Sequence, residues 1–177
     1  LEMIDQPDSK RQVWLISRPW FCVPEQVPLL IRTEASGDMR PLMKLEKEDS
    51  TSPWSERSLG PYVSPSPGAS HFALVLEVAG EFAGFLIYTR LLDEANIDNV
   101  AVASRLQGRG CGKALLEAAL GDMAEAGVRR CLLEVRESNL AARALYENNG
   151  FVVDGVRPRY YPTEQGREDA LLMSRRL

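Results

Sequence analysis

Apolar and polar positions alternate in blocks that outline an α/β domain. Val27–Arg32 reads as a short first strand. Gly37–Lys47 is helical, with Met39, Leu42, Met43 and Leu45 apolar. Ser52-Pro53-Trp54-Ser55-Glu56 reads as a second helix start, Ser52 as N-cap and Pro53 at the first helical position. Tyr62–Ser70, rich in Pro, Ser and Gly, reads as a loop. The apolar runs His71–Val78 and Ala83–Thr89, split by Ala79-Gly80-Glu81, predict a hairpin, and Glu94–Val102 predicts the next strand. Leu116, Leu120 and Met123 give a helix over Lys113–Ala126, stopping near Gly127. Arg130–Val135 predicts a strand, Ser138–Asn149 a helix capped by Ser138, and Phe151–Val156 and Ala170–Ser174 closing strands. The expected order is β-α-α-β-β-β-α-β-α-β-β. Residues 1–26 carry Trp14, Trp20 and Phe21 without periodicity, and are read as an N-terminal arm of unassigned role ahead of one domain over 27–177.

The strongest chemical signal follows the strand ending Val100-Ala101-Val102. Residues 107–113 read Gln107-Gly108-Arg109-Gly110-Cys111-Gly112-Lys113. Glycines there free the backbone for turn conformations and close ligand approach. The helix beyond points unpaired N–H groups and its positive dipole end at that place, which suits a phosphate. A Walker A loop needs four residues between its first Gly and Gly-Lys, then Ser or Thr. Here three precede Gly112-Lys113, and Ala114 follows. A dinucleotide loop needs G-x-G-x-x-G, which the spacing of Gly108, Gly110 and Gly112 breaks. The plain alternative is a glycine-rich strand-to-helix turn with no ligand.

Gln107, Gly110 and Gly112 do meet the pattern Q/R-x-x-G-x-G/A. In this the chain resembles the GNAT family of acetyl-CoA-dependent N-acetyltransferases, where that loop binds the CoA pyrophosphate. Further segments extend the likeness: Leu133-Glu134-Val135-Arg136, Ser138-Asn139, Ala144-Leu145-Tyr146-Glu147, Asn149-Gly150-Phe151, Tyr160-Tyr161-Pro162 and Gly166-Arg167-Glu168-Asp169-Ala170, with Pro53-Trp54-Ser55-Glu56 upstream. These are similar to the ribosomal-protein-alanine branch of the family, the RimI type, over about residues 30–175. The resemblance implies a mixed, mostly antiparallel twisted sheet flanked by helices. It implies acetyl-CoA as co-substrate and, as acceptor, the N-terminal alanine of a basic small-subunit ribosomal protein. It also implies that Val100, Ala101 and Val102 lend backbone groups to the pantetheine. Gly108 stands where that branch usually carries Arg, which leaves Arg109 and Lys113 as the nearby cations.

Acetyl transfer requires a deprotonated amine, a polarised thioester and a protonated leaving thiolate. An α-amine (pKa ~8) costs on the order of 1 kcal/mol to deprotonate at neutral pH, a Lys amine (pKa ~10.4) roughly 4–5. A modest base therefore serves an N-terminus. Glu134, among Leu132 and Leu133, is the candidate, and half-burial is expected to raise its pKa. Its plain alternative is a rim carboxylate paired with Arg136 or another cation. Tyr146, about two helical turns beyond Asn139, is the candidate acid, and a core tyrosine is its alternative. Asn139 is read either as a pantetheine ligand or as a helix cap. The stretch from Arg159 to Asp169 is read either as a hairpin tip or as a wall over the acceptor formed by Tyr160 or Tyr161, and Asp98, Glu168 and Asp169 either as a solvated face, the default for a lone carboxylate, or as groups that attract a basic peptide. Cys111, at a helix start, is expected to be somewhat acidic and oxidisable, and Cys131 a buried hydrophobe.

Composition narrows the field. The chain has 177 residues, 45% of them hydrophobic. Three cysteines and one histidine, His71, carry no metal spacing, so no metal site and a reducing cytoplasm are expected. A net charge of −4 disfavours direct nucleic-acid binding and suits a cationic acceptor. No apolar run approaches the ~18 residues of a membrane span, and no signal-peptide order is seen. Two other readings stay open: a GNAT enzyme acting on a small amine or a Lys side chain, and a CoA-binding module without chemistry.

Overall fold

The computed structural model describes residues 2–4, 13–15, 29–33, 36–49, 53–66 and 68–177. In chain order its elements are β1 (Glu2–Ile4), β2 (Val13–Leu15), β3 (Leu29–Thr33), α1 (Met39–Asp49), α2 (Glu56–Val63), β4 (His71–Val78), β5 (Glu81–Leu91), β6 (Glu94–Val102), α3 (Cys111–Glu125), β7 (Arg130–Arg136), α4 (Leu140–Asn148), β8 (Val152–Thr163) and β9 (Gly166–Arg176). From β3 onward this is the expected order. The strands form one sheet, β1-β2-β3-β4-β5-β6-β7-β9-β8, and the two short N-terminal strands extend it beyond β3.

Both faces of the central strands are covered. Phe85 and Ile87 of β5 pack with Leu42, Leu45 and Leu59 of α1 and α2. Leu86 and Tyr88 of the same strand pack with Leu115, Leu116 and Met123 of α3. That is why β4 and β5 read as nearly unbroken apolar runs rather than alternating ones. Each such Leu or Phe contributes about 1.5–3 kcal/mol by leaving water. The β4–β5 hairpin turns on Ala79 (φ 56°) and Gly80 (φ 77°), a two-residue turn whose twist matches its strands.

Every strand pair is antiparallel except β6–β7. That parallel pairing runs only from Glu94↔Arg130 to Ile97↔Leu133. Beyond it β6 stays on β5, through Val102↔Gly84, while β7 stays on β9, through Arg136↔Ala170. The two strands therefore part in mid-sheet. A bulge between Ile87 and Tyr88 of β5, opposite Asp98, falls where they diverge. Gly84 is required beside this stretch, because a Cβ there would lie 2.8 Å from the Ala101 carbonyl.

Several expectations are corrected. The strand expected over Val27–Arg32 is β3, Leu29–Thr33, preceded by β1 and β2, and Val27 lies outside the described residues. Ser55, not Ser52, caps α2: its Oγ accepts the Ser58 N–H at 3.2 Å, and Pro53 precedes the helix. Ser52 lies outside the described residues. Tyr62 and Val63, read as loop, are the buried last residues of α2, which continues past Pro61. Burial against Phe85 and Ile87 outweighs the amide lost at the proline. The closing strands run further than expected, so Tyr160-Tyr161-Pro162 belong to β8 and Gly166–Asp169 to β9.

Candidate active site

A cleft of about 600 Å³ opens where β6 and β7 part. Asp98, Asn99, Val100 and Ala101 of β6 line one side, and Glu134, Val135 and Arg136 of β7 the other. Asn139, Ala142 and Tyr146 enter from the α4 side, Tyr161 and Pro162 from β8, and Glu46 and Trp54 from the α1–α2 region. Glu134, Tyr146, Asn139, Val100 and Ala101, all singled out in the sequence, thus meet in one opening.

Glu134 alternates with buried Leu133 and Val135 and has a side chain 27% exposed. Its Oε1 lies 3.0 Å from a guanidinium nitrogen of Arg157 on β8. The cation beside it is thus Arg157. Arg136 is engaged elsewhere, donating to Glu168 at 2.7 Å and to the Pro162 carbonyl at 3.0 Å. Tyr146 is buried against Phe151, ring centroids 5.7 Å apart. Burial pushes its phenol well above the ordinary value, so it holds its proton at neutral pH. Burial, then the Glu134 charge, also pushes Tyr161 up.

Asn139, rather than Ser138, is the N-cap of α4, its Oδ1 accepting the Ala142 N–H at 3.1 Å. The Ser138 N–H instead donates to Glu168 at 3.2 Å. The Asn139 oxygen is thereby engaged in capping, while the residue still lines the cleft. Glu168 and Asp169 do not stand free to attract a peptide. Glu168 braces Arg136 and Ser138, and Asp169 accepts the Arg159 N–H at 2.8 Å. Asp98 accepts from Tyr62 at 3.0 Å and from Asn96 at 2.6 Å, and burial raises its pKa.

The glycine loop lies past the end of β6, outside the cleft lining. Gln107 donates its side-chain amide to the Val102 carbonyl at 3.0 Å, tying the loop back to the strand. Gly108 (φ 69°) and Gly110 (φ 79°) take left-handed conformations that disfavour other residues. Gly110 is the N-cap of α3 and no side chain caps that end. The first intrahelical bond runs from the Ala114 N–H to the Gly110 carbonyl, so the Cys111 and Gly112 amides precede it. Arg109 is exposed at the loop surface, and Lys113 lies 3.7 Å from Glu117. The expected reactivity of Cys111 is corrected. The residue is 2% exposed, and burial, outweighing the nearby Arg109, pushes its thiol up. Cys131 is fully buried, its thiol pushed up to about 12, and Cys22 lies outside the described residues.

Two residues of the site were not singled out, Glu46 in the cleft lining and Arg157 on Glu134. Glu46 is 2% exposed, accepting from the Trp54 N–H at 3.2 Å and from the Asn99 amide at 2.8 Å. Its signal was available: it follows Leu42 by four, which puts a carboxylate on the buried stripe of α1. Arg157 gave no local signal, because its pairing with Glu134 joins separate strands. Among the described residues no group of His, Cys, Asp and Glu is arranged to hold a metal. No described helix is long and apolar enough to cross a membrane.

The sequence profile of the acetyltransferase (GNAT) family matches residues 39–151. The chain is 39% identical over 137 residues to the [ribosomal protein bS18]-alanine N-acetyltransferase of Escherichia coli K12, covering 77% of this chain and 90% of that one. The Haemophilus influenzae protein of the same name is 38% identical over 138 residues, covering 77% and 91%. The crystal structure of the ribosomal-protein-S18-alanine N-acetyltransferase from Escherichia coli superposes with a TM-score of 0.77 at 36% identity, covering 84% of this chain and 93% of that one. A parted central strand pair, a glycine loop ahead of an uncapped helix, and these likenesses agree: the chain belongs to the GNAT family and is an acetyl-CoA-dependent N-acetyltransferase.

Proposed function

We propose that the chain acetylates the α-amine of an N-terminal alanine, that of a basic small-subunit ribosomal protein, in the cytoplasm. The relatives named for that reaction support the acceptor. The cleft between the parted strands carries the mechanism, because it holds a carboxylate and a protonated phenol in one opening. Amides of Gln107–Lys113 take the CoA diphosphate at the open N-terminus of α3. Main-chain groups of Val100, Ala101 and Val102, freed where β6 leaves β7, hold the pantetheine and polarise the thioester. The free side of Asn139 adds a pantetheine contact.

The amine nitrogen attacks the thioester carbon and the C–S bond breaks. Glu134 takes the amine proton through a water, and Tyr146 gives its proton to the departing sulfur. Trp54, Tyr161 and Asp98 surround the acceptor's first residues.

An acceptor panel tests the reading. An Ala-initiated basic peptide should be acetylated at its α-amine with kcat/KM at least tenfold above the same peptide blocked at its N-terminus but carrying lysines, and above polyamines. Mass spectrometry of ribosomal proteins from cells with and without the protein should show one N-terminal acetyl group lost. Preference for lysine or a small amine would replace this acceptor with another, and acetyl-CoA binding without turnover on any amine would remove the catalytic reading.

A further inference from the structure

Glu134, in the cleft, already carries a cation of the protein's own where the acceptor's cation must arrive. Arg157 is the ion partner of Glu134 among the described residues, at 3.0 Å. Its guanidinium carbon also sits 4.6 Å over the ring of Tyr160. Both come from an irregular stretch of β8, where pairing with β9 jumps from Arg157↔Ala170 to Tyr161↔Glu168. Arg159 inside that jump has φ 52°, and its N–H is pinned by Asp169. The extra residues give Arg157 two neighbours at once, the carboxylate and an aromatic face. Arg136, the other guanidinium at the cleft, is held by Glu168, the Pro162 carbonyl and the Tyr161 ring, 4.5 Å to the centroid. Arg157 has no such clamp, and its side chain is 48% exposed.

We infer that Arg157 is a positioning residue that occupies the place beside Glu134 needed by the acceptor amine and its water, and yields it, staying on the Tyr160 ring, when the acceptor arrives. This rests on the reading of Glu134 as the base. An arriving ammonium and the guanidinium already beside that carboxylate repel each other, so the two compete for its charge. A half-exposed ion pair is weak enough for an incoming charge to replace it. The resident cation screens the carboxylate in the empty site, and makes affinity depend on the acceptor bringing its own positive charge. Arg157 pairs with that carboxylate, and the charged and titratable groups lining the cleft with it are Tyr161 from β8, Tyr146 from α4, Asp98 from β6, Glu46 from α1 and Arg136 on its own strand. Arg157 is the one whose removal takes a cation from it directly.

The test is calorimetric binding of an Ala-initiated basic peptide to the CoA-loaded enzyme, where no transfer occurs. Arg157→Gln should tighten binding roughly two- to fivefold, the scale of an exposed ion pair. Arg157→Lys, which keeps the charge, should return the affinity toward wild type. In a Glu134→Gln background, Arg157→Gln should change nothing, because no charge is contested. Unchanged or weakened binding in Arg157→Gln, or an equal gain in the Glu134→Gln background, overturns the inference. Wild-type turnover in Glu134→Gln would instead remove the base assignment, while the binding data still decide whether Arg157 competes with the acceptor.

Discussion

Individual side chains in this cleft carry more than one duty. Glu46 is buried, and its two oxygens hold the Trp54 N–H and the Asn99 amide, joining the α1–α2 region to β6. Glu46→Ala strands both donors, so a loss of about 1–3 kcal/mol is expected in chemical denaturation. A change below a few tenths would show that water replaces the carboxylate without cost. Asp98 behaves differently. Burial raises its folded-state pKa above the ordinary value, despite the Asn96 and Tyr62 bonds. The folded protein thus binds that proton more tightly than the unfolded chain. Below the ordinary carboxylate range both states are protonated and nothing is lost. As pH rises through that value toward the raised one, the unfolded chain ionises first and stability falls. Asp98→Asn should remove that fall, so the Tm difference between variant and wild type should grow in the variant's favour from about pH 3 to 7. A constant difference across that range would contradict the burial argument.

At the scale of elements, the site is built from an interrupted pairing. β6 and β7 are joined over four residue pairs and then each follows another neighbour. The opening is therefore a property of the sheet, with α3 and α4 beginning beside it. Gly110, at φ 79°, turns the chain from the loop into α3. Gly110→Ala forces a side chain into the left-handed region, at about 1–2 kcal/mol. It should weaken acetyl-CoA binding by about tenfold while the KM for the acceptor peptide stays near wild type. Equal loss in both would mean that the loop supports the whole cleft rather than one ligand. Gly127, at φ 82° beyond the other end of α3, is the natural control for local strain away from the loop.

For the molecule as a whole, much was legible before any coordinates, and the rest had identifiable causes. The order of elements from β3 followed from local runs and punctuation such as Ala79-Gly80 and Asn149-Gly150. The meeting of Glu134, Tyr146 and Asn139 followed from the family resemblance, which no periodicity supplies. What escaped depends on contacts distant in sequence. The α2 cap moved to Ser55 because Leu59, Tyr62 and Val63 must reach Phe85 and Ile87. The last hairpin ran long because strand extension on β9 satisfies backbone groups that polar composition alone suggested would be loop. Cys111 is not acidified because the helix start that favours a thiolate also buries it. Arg157 reaches Glu134 from a strand that pairs with β9, not with β7.

The central claim is that a carboxylate and a phenol in the opening between β6 and β7 move the protons of acetyl transfer. The most direct measurement is the turnover of Glu134→Gln and Tyr146→Phe with an Ala-initiated basic peptide, beside their acetyl-CoA affinities. Each should lose about 10²–10⁴-fold in kcat while the affinity for acetyl-CoA stays within about twofold. Wild-type turnover in either variant would contradict the account.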